Sequence, residues 1–319
     1  MPARAQGATA QVAEMKVMAQ KIDTLKGIMR LREPMARHAS WRAGGPADRF
    51  YMPADLEDLC NFLRQIDPAE PILWLGLGSN LLVRDGGFRG TVIATGGVLD
   101  HLEAGSGGIV NAGAGVSCAK FARFTAGKGF AGAEFLAGIP GTVGGALTMN
   151  AGAFGGETWN IAFAAQTIDR SGGLHDRTRA ELMPAYRRVS LPEGEWFVGA
   201  SFKLDPDAAG QCMRRIREFL ERRSLSQPIG DASCGSVFRN PPGDAAGRLI
   251  DACGLKGLRR GNAVVSDKHA NFIINSGGAT AREIEDLIAL VRQRVEGETG
   301  ILLEPEVKIV GEAENSAGI

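Results

Sequence analysis

The sequence predicts an α+β protein of more than one domain, and three observations carry that prediction. Apolar runs at 72–75, 81–83, 91–94, 165–168 and 196–204 have strand length and are bounded by glycine turns. Other segments hold a helical period instead, most clearly Ile284, Leu287, Ile288, Val291 and Val295. At 319 residues the chain also exceeds what a single hydrophobic core ordinarily serves.

Taken in order, residues 1–28 carry little signal and are expected to form a leader. Pro53-Ala-Asp55 precedes Leu56, Leu59, Cys60 and Leu63, which predicts a helix with an acidic first turn. The strand at 72–75 runs into Gly76-Leu-Gly-Ser-Asn80, and Asp85-Gly-Gly separates the strands at 81–83 and 91–94. A helix is expected near 117–126. Asp205-Pro-Asp-Ala-Ala-Gly210 reads as a boundary, after which Met213, Ile216, Phe219 and Leu220 stripe an arginine-rich helix. Thr280-Ala-Arg-Glu283 fits a capping box for the last helix, with Gly297 and Gly300 closing it. Residues 301–303 and 307–310 are expected as strand, with Pro305 at an edge or bulge.

Composition excludes several classes of function. Lys+Arg and Asp+Glu both number 36, so no bulk charge attracts nucleic acid or an anionic membrane. No apolar run reaches the ~18 residues a membrane span requires. The N-terminus lacks the apolar core of a signal peptide. The 5 cysteines form no CxxC, which fits reduced thiols in a cytoplasmic protein, and the 4 histidines are too scattered to suggest a zinc site. Glycine, at 44 residues, is about twice its usual ~7 % share and is clustered between apolar runs, where backbone can approach a ligand closely.

Several segments could carry chemistry. The loop Gly76-Leu-Gly-Ser-Asn80 can cradle a phosphate or serve as a tight turn. Gly138-Ile-Pro-Gly-Thr-Val-Gly-Gly145, followed by Met149-Asn-Ala-Gly-Ala-Phe-Gly155, either wraps a flat polyphosphate ligand, for which it has the freedom, or forms a glycine-rich bend in a core sheet. Tyr186-Arg187 is either a surface pair or part of a site. Ser233-Cys-Gly-Ser-Val-Phe-Arg-Asn-Pro-Pro242 is either a serine-capped turn or a reactive loop. Glu306 is either an edge charge or, if inward, a buried carboxyl held protonated.

These segments together, in this order, resemble the UDP-N-acetylenolpyruvoylglucosamine reductase family. The resemblance spans about 38–312. It includes Trp41-Arg-Ala-Gly-Gly-Pro46, Ala185-Tyr-Arg187, Arg222-Arg-Ser-Leu-Ser-Gln-Pro228, Ala246-Gly-Arg-Leu-Ile250, Ser266-Asp-Lys-His-Ala270 and Leu303-Glu-Pro-Glu-Val307, besides the glycine motifs. It implies a two-subdomain FAD-binding fold of the vanillyl-alcohol-oxidase type plus a C-terminal α+β substrate-binding domain. The expected bounds are 29–98 and 99–209 for the FAD subdomains, 210–304 for the substrate domain and 305–319 for a strand returning to the FAD domain. The short link after Lys203 matches the subgroup without an inserted tyrosine loop.

The resemblance further implies non-covalent FAD, NADPH as hydride donor, and reduction of UDP-N-acetylglucosamine enolpyruvate in peptidoglycan synthesis, with no nucleic acid, membrane or obligatory protein partner. FAD is expected at Gly76, Gly78, Ser79, Asn80, Leu81, Gly138, Ile139, Pro140, Gly141, Thr142, Gly144 and Gly145. By matched position, Arg187 and Glu306 stabilise an enolate and Ser236 donates a proton. Tyr186, Arg223, Asn240 and Lys268 are expected at the substrate. The family reads Tyr-Arg-x-Ser, and here Val189 stands at the fourth place with Ser190 next. The competing readings are another oxidase or dehydrogenase on the same flavin fold, for which a flavin-linking histidine would speak (His101 is the nearest), and a flavin-binding regulatory module. One expectation separates the linked from the unlinked flavin. Acid denaturation of the yellow protein should release all FAD to the supernatant, and flavin left in the precipitate would contradict it.

Overall fold

The computed structural model of the protein describes residues 25–314, so almost all of the expected leader lies outside the described residues. The first lobe opens with β1 (Ile28–Pro34) and β2 (Pro46–Met52), an antiparallel pair that apolar periodicity does not reveal. The reason is inverted burial. On β1 Leu31 is exposed while Glu33 is buried, its carboxylate accepting from His38 Nε2 at 2.9 Å and Arg30 Nη1 at 3.2 Å. Helix α1 (Leu56–Gln65) starts where the acidic turn predicts, at Asp55, whose side chain accepts from Asp58 N at 2.8 Å. It buries Leu59, Cys60, Phe62 and Leu63. Then come β3 (Ile72–Leu75), β4 (Leu81–Val83) and β5 (Phe88–Ala94). The sheet runs β1-β2-β5-β3, with β5 parallel to both its neighbours.

The second lobe is a five-stranded antiparallel sheet. Its members are β6 (Leu102–Ala104), β7 (Ile109–Gly113), β8 (Ala162–Asp169), β9 (Leu174–Thr178) and β10 (Glu195–Lys203), in the order β9-β8-β10-β7-β6. Helices α2 (Cys118–Gly127) and α3 (Val143–Met149) pack with it in one core that contains Phe121, Leu147, Trp159 and Phe202.

Helix α4 (Cys212–Ser226) follows. The sequence places a boundary before it, yet Ile216 lies in the core of the second lobe and Arg215 Nε donates to Glu134 Oε1 at 2.8 Å. The polar stretch is a cap rather than a linker. Asp205 and Pro206 pair with 130–131, and the Asp207 carboxylate accepts from Gln211 N at 3.1 Å and Cys212 N at 2.9 Å. By packing, α4 therefore joins the second lobe and the third unit begins after it.

The third lobe comprises α5 (Ala246–Ala252), the small antiparallel sheet β11 (Arg259–Arg260), β12 (Ala263–Val265) and β13 (Ile273–Asn275), and the long α6 (Ala281–Thr299). The predicted capping box of α6 is present, and Ile284, Leu287, Ile288, Val291 and Val295 are its buried stripe. The helix runs through Gly297 and ends at Gly300, whose φ of +71° is the left-handed cap that glycine favours. Asp85 of the first lobe adds a second cap, accepting from Ala281 N at 2.9 Å and Arg282 N at 2.8 Å.

Residues 301–303 are not strand. Pro305 offers no donor, so 304–306 make only isolated pairings with 237–239. The chain then forms β14 (Lys308–Val310), parallel to β4 in the first lobe.

Trp41 crosses between lobes in the other direction. It is fully buried in the third lobe's core, donates from Nε1 to Ile273 O at 2.7 Å, and its own carbonyl accepts from Asn275 Nδ2 at 2.8 Å. Trp41→Ala should cost ~3–5 kcal/mol through the cavity it leaves. Trp41→Phe should cost about 1–3 kcal/mol, through the lost donor. Urea unfolding of the two variants checks both the order and the size.

Candidate active site

The three lobes meet at a cleft of about 320 Å³, and most residues nominated from sequence line it. On one wall is the loop between β3 and β4. Its Gly78 has a φ of +63°, and a Cβ there would come within 1.9 Å of the His38 carbonyl oxygen, so this turn admits no side chain. On the facing wall is the 138–145 loop. Thr142 caps α3 by accepting from Gly145 N at 3.3 Å, and a Cβ on Gly76 would strike the Thr142 hydroxyl at 2.6 Å. The two loops are therefore in near contact across the cleft. By contrast, a Cβ on Gly141 would meet nothing closer than Ser79 Oγ at 3.5 Å. That distance is ordinary van der Waals contact, and glycine backbone of both loops lines the cleft, a cradle that fits a dinucleotide such as FAD.

The third wall is built by the 233–240 segment. Gly235, with a φ of +69°, turns the chain so that Ser236 faces the cleft. The next two residues are fixed by Asn271. Its carbonyl accepts from Val237 N at 2.9 Å, its side-chain oxygen from Phe238 N at 2.9 Å, and its amide donates to Phe238 O at 2.8 Å. From the other side Glu306 N donates to Val237 O at 2.7 Å. Ser236 and Glu306 are thereby held by one backbone pairing.

Glu306 points inward, with its side chain only 16 % exposed. Burial pushes its carboxyl above the usual carboxylate range, against the opposing pull of Arg187 and Arg239. Asn80 steadies the same stretch: its amide donates to Glu306 O at 3.0 Å and lies 3.1 Å from Met149 Sδ, and its carbonyl accepts from Lys308 N at 3.1 Å.

Arg187 reaches the cleft from the second lobe. Its Nε donates to Glu306 Oε1 at 3.2 Å, Nη1 to Asn150 O at 3.3 Å and Nη2 to Gly152 O at 3.2 Å. The guanidinium lies 4.9 Å from the Tyr186 ring centre. The unusual Val189 packs into the hydrophobic core of that lobe, and Ser190 N donates to Leu182 O at 2.8 Å, so the local turn closes without the family's serine.

Gly76, Gly78, Ser79, Asn80, Leu81, Gly138, Ile139, Pro140, Gly141, Thr142, Gly145, Tyr186, Arg187, Arg223, Ser236, Asn240 and Glu306 all line this cleft. Two nominated residues do not. Gly144 lies on the packed side of α3, where a Cβ would meet that of Ala114 at 2.8 Å, so it is a close-packing glycine. Lys268 is exposed, and its Nζ donates to the Ser224 carbonyl at the end of α4.

The sequence reading passed over Met149, Gln227 and Lys308, which also line the cleft. Gln227 accepts from Arg223 Nε at 2.9 Å. All three sit inside or one residue beyond motifs already singled out, which is the signal that could have found them.

Cys234 also lines the cleft, but burial pushes its thiol up to about 12, and it donates to Leu81 O at 3.4 Å, so it is no nucleophile. His101 is exposed beside Glu103 at 3.4 Å and lines no part of the cleft. Among the described residues no cluster could hold a metal ion, and no helix is long and apolar enough to cross a membrane.

Comparison with known proteins places this geometry. Residues 47–177 match a family model described as an FAD binding domain, and 227–310 match the C-terminal domain of UDP-N-acetylenolpyruvoylglucosamine reductase. The second match opens just after α4, in agreement with the packing. The chain is 58 % identical over 289 residues to the UDP-N-acetylenolpyruvoylglucosamine reductase of Alkalilimnicola ehrlichii, covering 91 % of this chain and 97 % of that one. To the enzyme of that name in Methylococcus capsulatus it is 58 % identical over 282 residues, covering 88 % and 93 %. A crystal structure of the Thermus caldophilus UDP-N-acetylenolpyruvylglucosamine reductase aligns with a TM-score of 0.76 at 34 % identity, covering 89 % of this chain and 99 % of that one. The α+β class, with its two-part FAD-binding fold of the vanillyl-alcohol-oxidase type and C-terminal domain, is thus the one the sequence predicts. With relatives this similar over nearly their whole length, and two glycine loops facing each other across a cleft fit for FAD, the chain belongs to the UDP-N-acetylenolpyruvoylglucosamine reductase family.

Proposed function

We propose that this protein reduces UDP-N-acetylglucosamine enolpyruvate to UDP-N-acetylmuramate in the cytoplasm, as a step of peptidoglycan precursor synthesis, with NADPH as the reductant. The observation that carries the site assignment is the meeting of Arg187 and Glu306 at 3.2 Å in a cleft that Ser236 and both glycine loops also line.

The net change adds one hydride and one proton across the enol ether double bond. FAD, held between the 76–81 and 138–145 loops, supplies the hydride when bound. The remaining work falls to side chains. Charge that builds on the carbon next to the carboxylate spreads into it as an enolate, and each neighbour must favour that state. The planar guanidinium of Arg187 suits the carboxylate. Three of its N–H groups already hold Glu306, Asn150 and Gly152, so it is oriented before the substrate arrives. Burial favours the neutral form of Glu306, and in that form it can donate a hydrogen bond to developing negative charge where an ionised carboxylate would repel it. Ser236 delivers the proton to the enolate carbon. Arg223, Asn240, Tyr186 and, beside them, Gln227 and Lys308 are the polar groups left for the nucleotide diphosphate end.

Two experiments test these roles. Ser236→Ala should leave FAD content and flavin reduction by NADPH near normal. Reoxidation by the enolpyruvyl substrate should slow by ~10²–10⁴, the loss typical of removing a general acid, and Ser236→Cys should recover part of it. Rapid mixing of each half-reaction gives the answer, and an equal slowing of the NADPH step would make Ser236 structural.

The second concerns pH. Because the Glu306 pKa is raised, its donor is present below that raised value and lost as pH climbs through it. The reoxidation rate should therefore fall on the alkaline side. Glu306→Gln keeps a donor that does not titrate and should flatten that limb. The same limb in both proteins would remove Glu306 from the role.

A further inference from the structure

Asn150 does not line the cleft, yet it is 3 % exposed and every polar group of its side chain is engaged. It ends α3 with a φ of +43°, a left-handed conformation that asparagine tolerates better than most residues. Its side-chain oxygen accepts from Trp159 N at 3.0 Å. Its amide donates to Glu157 Oε2 at 3.0 Å and to Ala185 O at 3.1 Å. Its own carbonyl takes Arg187 Nη1 at 3.3 Å.

Two of these contacts converge on Arg187. Ala185 opens the Ala185-Tyr-Arg187 turn, which closes by mutual backbone bonds between Ala185 and Arg188 at 2.8 and 3.1 Å. Arg187 itself carries a φ of +53° in that turn, a conformation arginine adopts only when its surroundings impose it. The Glu157 carboxylate is the third party. A Cβ built on Gly152 would lie 3.1 Å from Glu157 Cγ and 3.3 Å from Arg187 Nη1, which places the two side chains around the same glycine. The Asn150 amide occupies Glu157 Oε2, so an acid close to the guanidinium is satisfied elsewhere.

Resting on the reading of Arg187 as the carboxylate-binding residue, we propose that Asn150 is its positioning residue: it fixes the Arg187 turn and guanidinium and diverts Glu157, leaving the outward N–H groups of Arg187 for the substrate carboxylate. A guanidinium misplaced by about 1 Å can cost ~10²-fold in rate, so loss of this arrangement should be visible in turnover.

The test is a double-mutant cycle on the FAD-loaded protein, combining Asn150→Gly and Asn150→Asp with Arg187→Lys. Glycine accepts the positive φ and removes the side-chain bonds. Aspartate keeps the shape but replaces the donor to Ala185 and Glu157 with a charge. Both single variants should retain FAD and the rate of flavin reduction by NADPH. Both should slow reoxidation by the enolpyruvyl substrate about 10- to 100-fold, with a raised KM. On the Arg187→Lys background the same substitutions should cost less than about 2-fold more, because the group they position is gone.

Equal losses on both backgrounds would overturn the proposal and make Asn150 a structural cap, as would an unchanged reoxidation rate or a matching loss in the NADPH step. If Arg187→Lys alone reoxidises normally, the reading of Arg187 fails first, and that single variant tells the two failures apart.

Discussion

Much of this site hangs on one backbone hydrogen bond, from Glu306 N to Val237 O at 2.7 Å. Glu306 belongs to a tail that leaves the third lobe and pairs with β4 of the first, whereas Val237 follows Ser236 in the third lobe's own loop. Pro305 stops the tail from becoming regular strand before this point, and β14 takes it up only at Lys308. The short irregular stretch between them is where the carboxyl turns inward. Had pairing with 237–239 continued as a ladder, side-chain alternation would leave no freedom to aim Glu306 separately from its neighbours. A broken ladder, bracketed by Asn80 on one side and Asn271 on the other, gives that freedom while keeping the Glu306 backbone hydrogen-bonded at both N and O.

The same arrangement resolves an electrostatic conflict. An acid 3.2 Å from a guanidinium would ordinarily ionise and form an ion pair, which would neutralise the arginine. Here burial outweighs the attraction, and the carboxyl is pushed toward its neutral form. Arg187 meets that acid through a single Nε contact rather than a two-pronged grip, and its other two contacts go to uncharged carbonyls. The guanidinium is thus oriented largely by the uncharged Asn150 and Gly152 carbonyls, an arrangement that suits the anion-binding role proposed for it. The geometry separates holding a group in place from cancelling its charge.

How much of this could be read from sequence depends on the kind of signal each part leaves. The long helix at 281–299 announces itself through a capping box and a strict apolar stripe, because its stability comes from those local features. The glycine loops are legible because close backbone approach excludes side chains, as at Gly78. Strand β1 is not legible, since its pattern of exposed Leu31 and buried Glu33 arises from a polar network that only tertiary structure assembles. The true end of the second lobe is hidden for the same reason: a polar stretch reads as a linker until Asp207 is seen capping α4. Gly144 and Lys268 show the limit of motif-level transfer. Gly144 sits among cleft-lining residues in sequence but faces α3's packed side, and Lys268, inside the matched 266–270 motif, faces solvent.

The residues proposed to act on the substrate share one kind of mount. Arg187, Ser236 and Glu306 come from a strained turn, a glycine-hinged loop and an interrupted ladder, and none lies within a helix or regular strand. Such mounts are flexible unless their surroundings over-determine them. The over-determination here is supplied by amides: the Asn80 side chain holds Glu306 O, that of Asn150 holds Trp159 N and Ala185 O, and that of Asn271 holds both backbone groups of Phe238. An asparagine can offer donors and an acceptor at fixed spacing without adding a charge that would disturb Arg187 or Glu306. A buried lysine or aspartate in any of the three places would hold the backbone less well and would shift the protonation of the very groups it supported. Neutral amide braces around titratable residues can therefore hold loops, in place of rigid elements, in the arrangement the proposed chemistry requires.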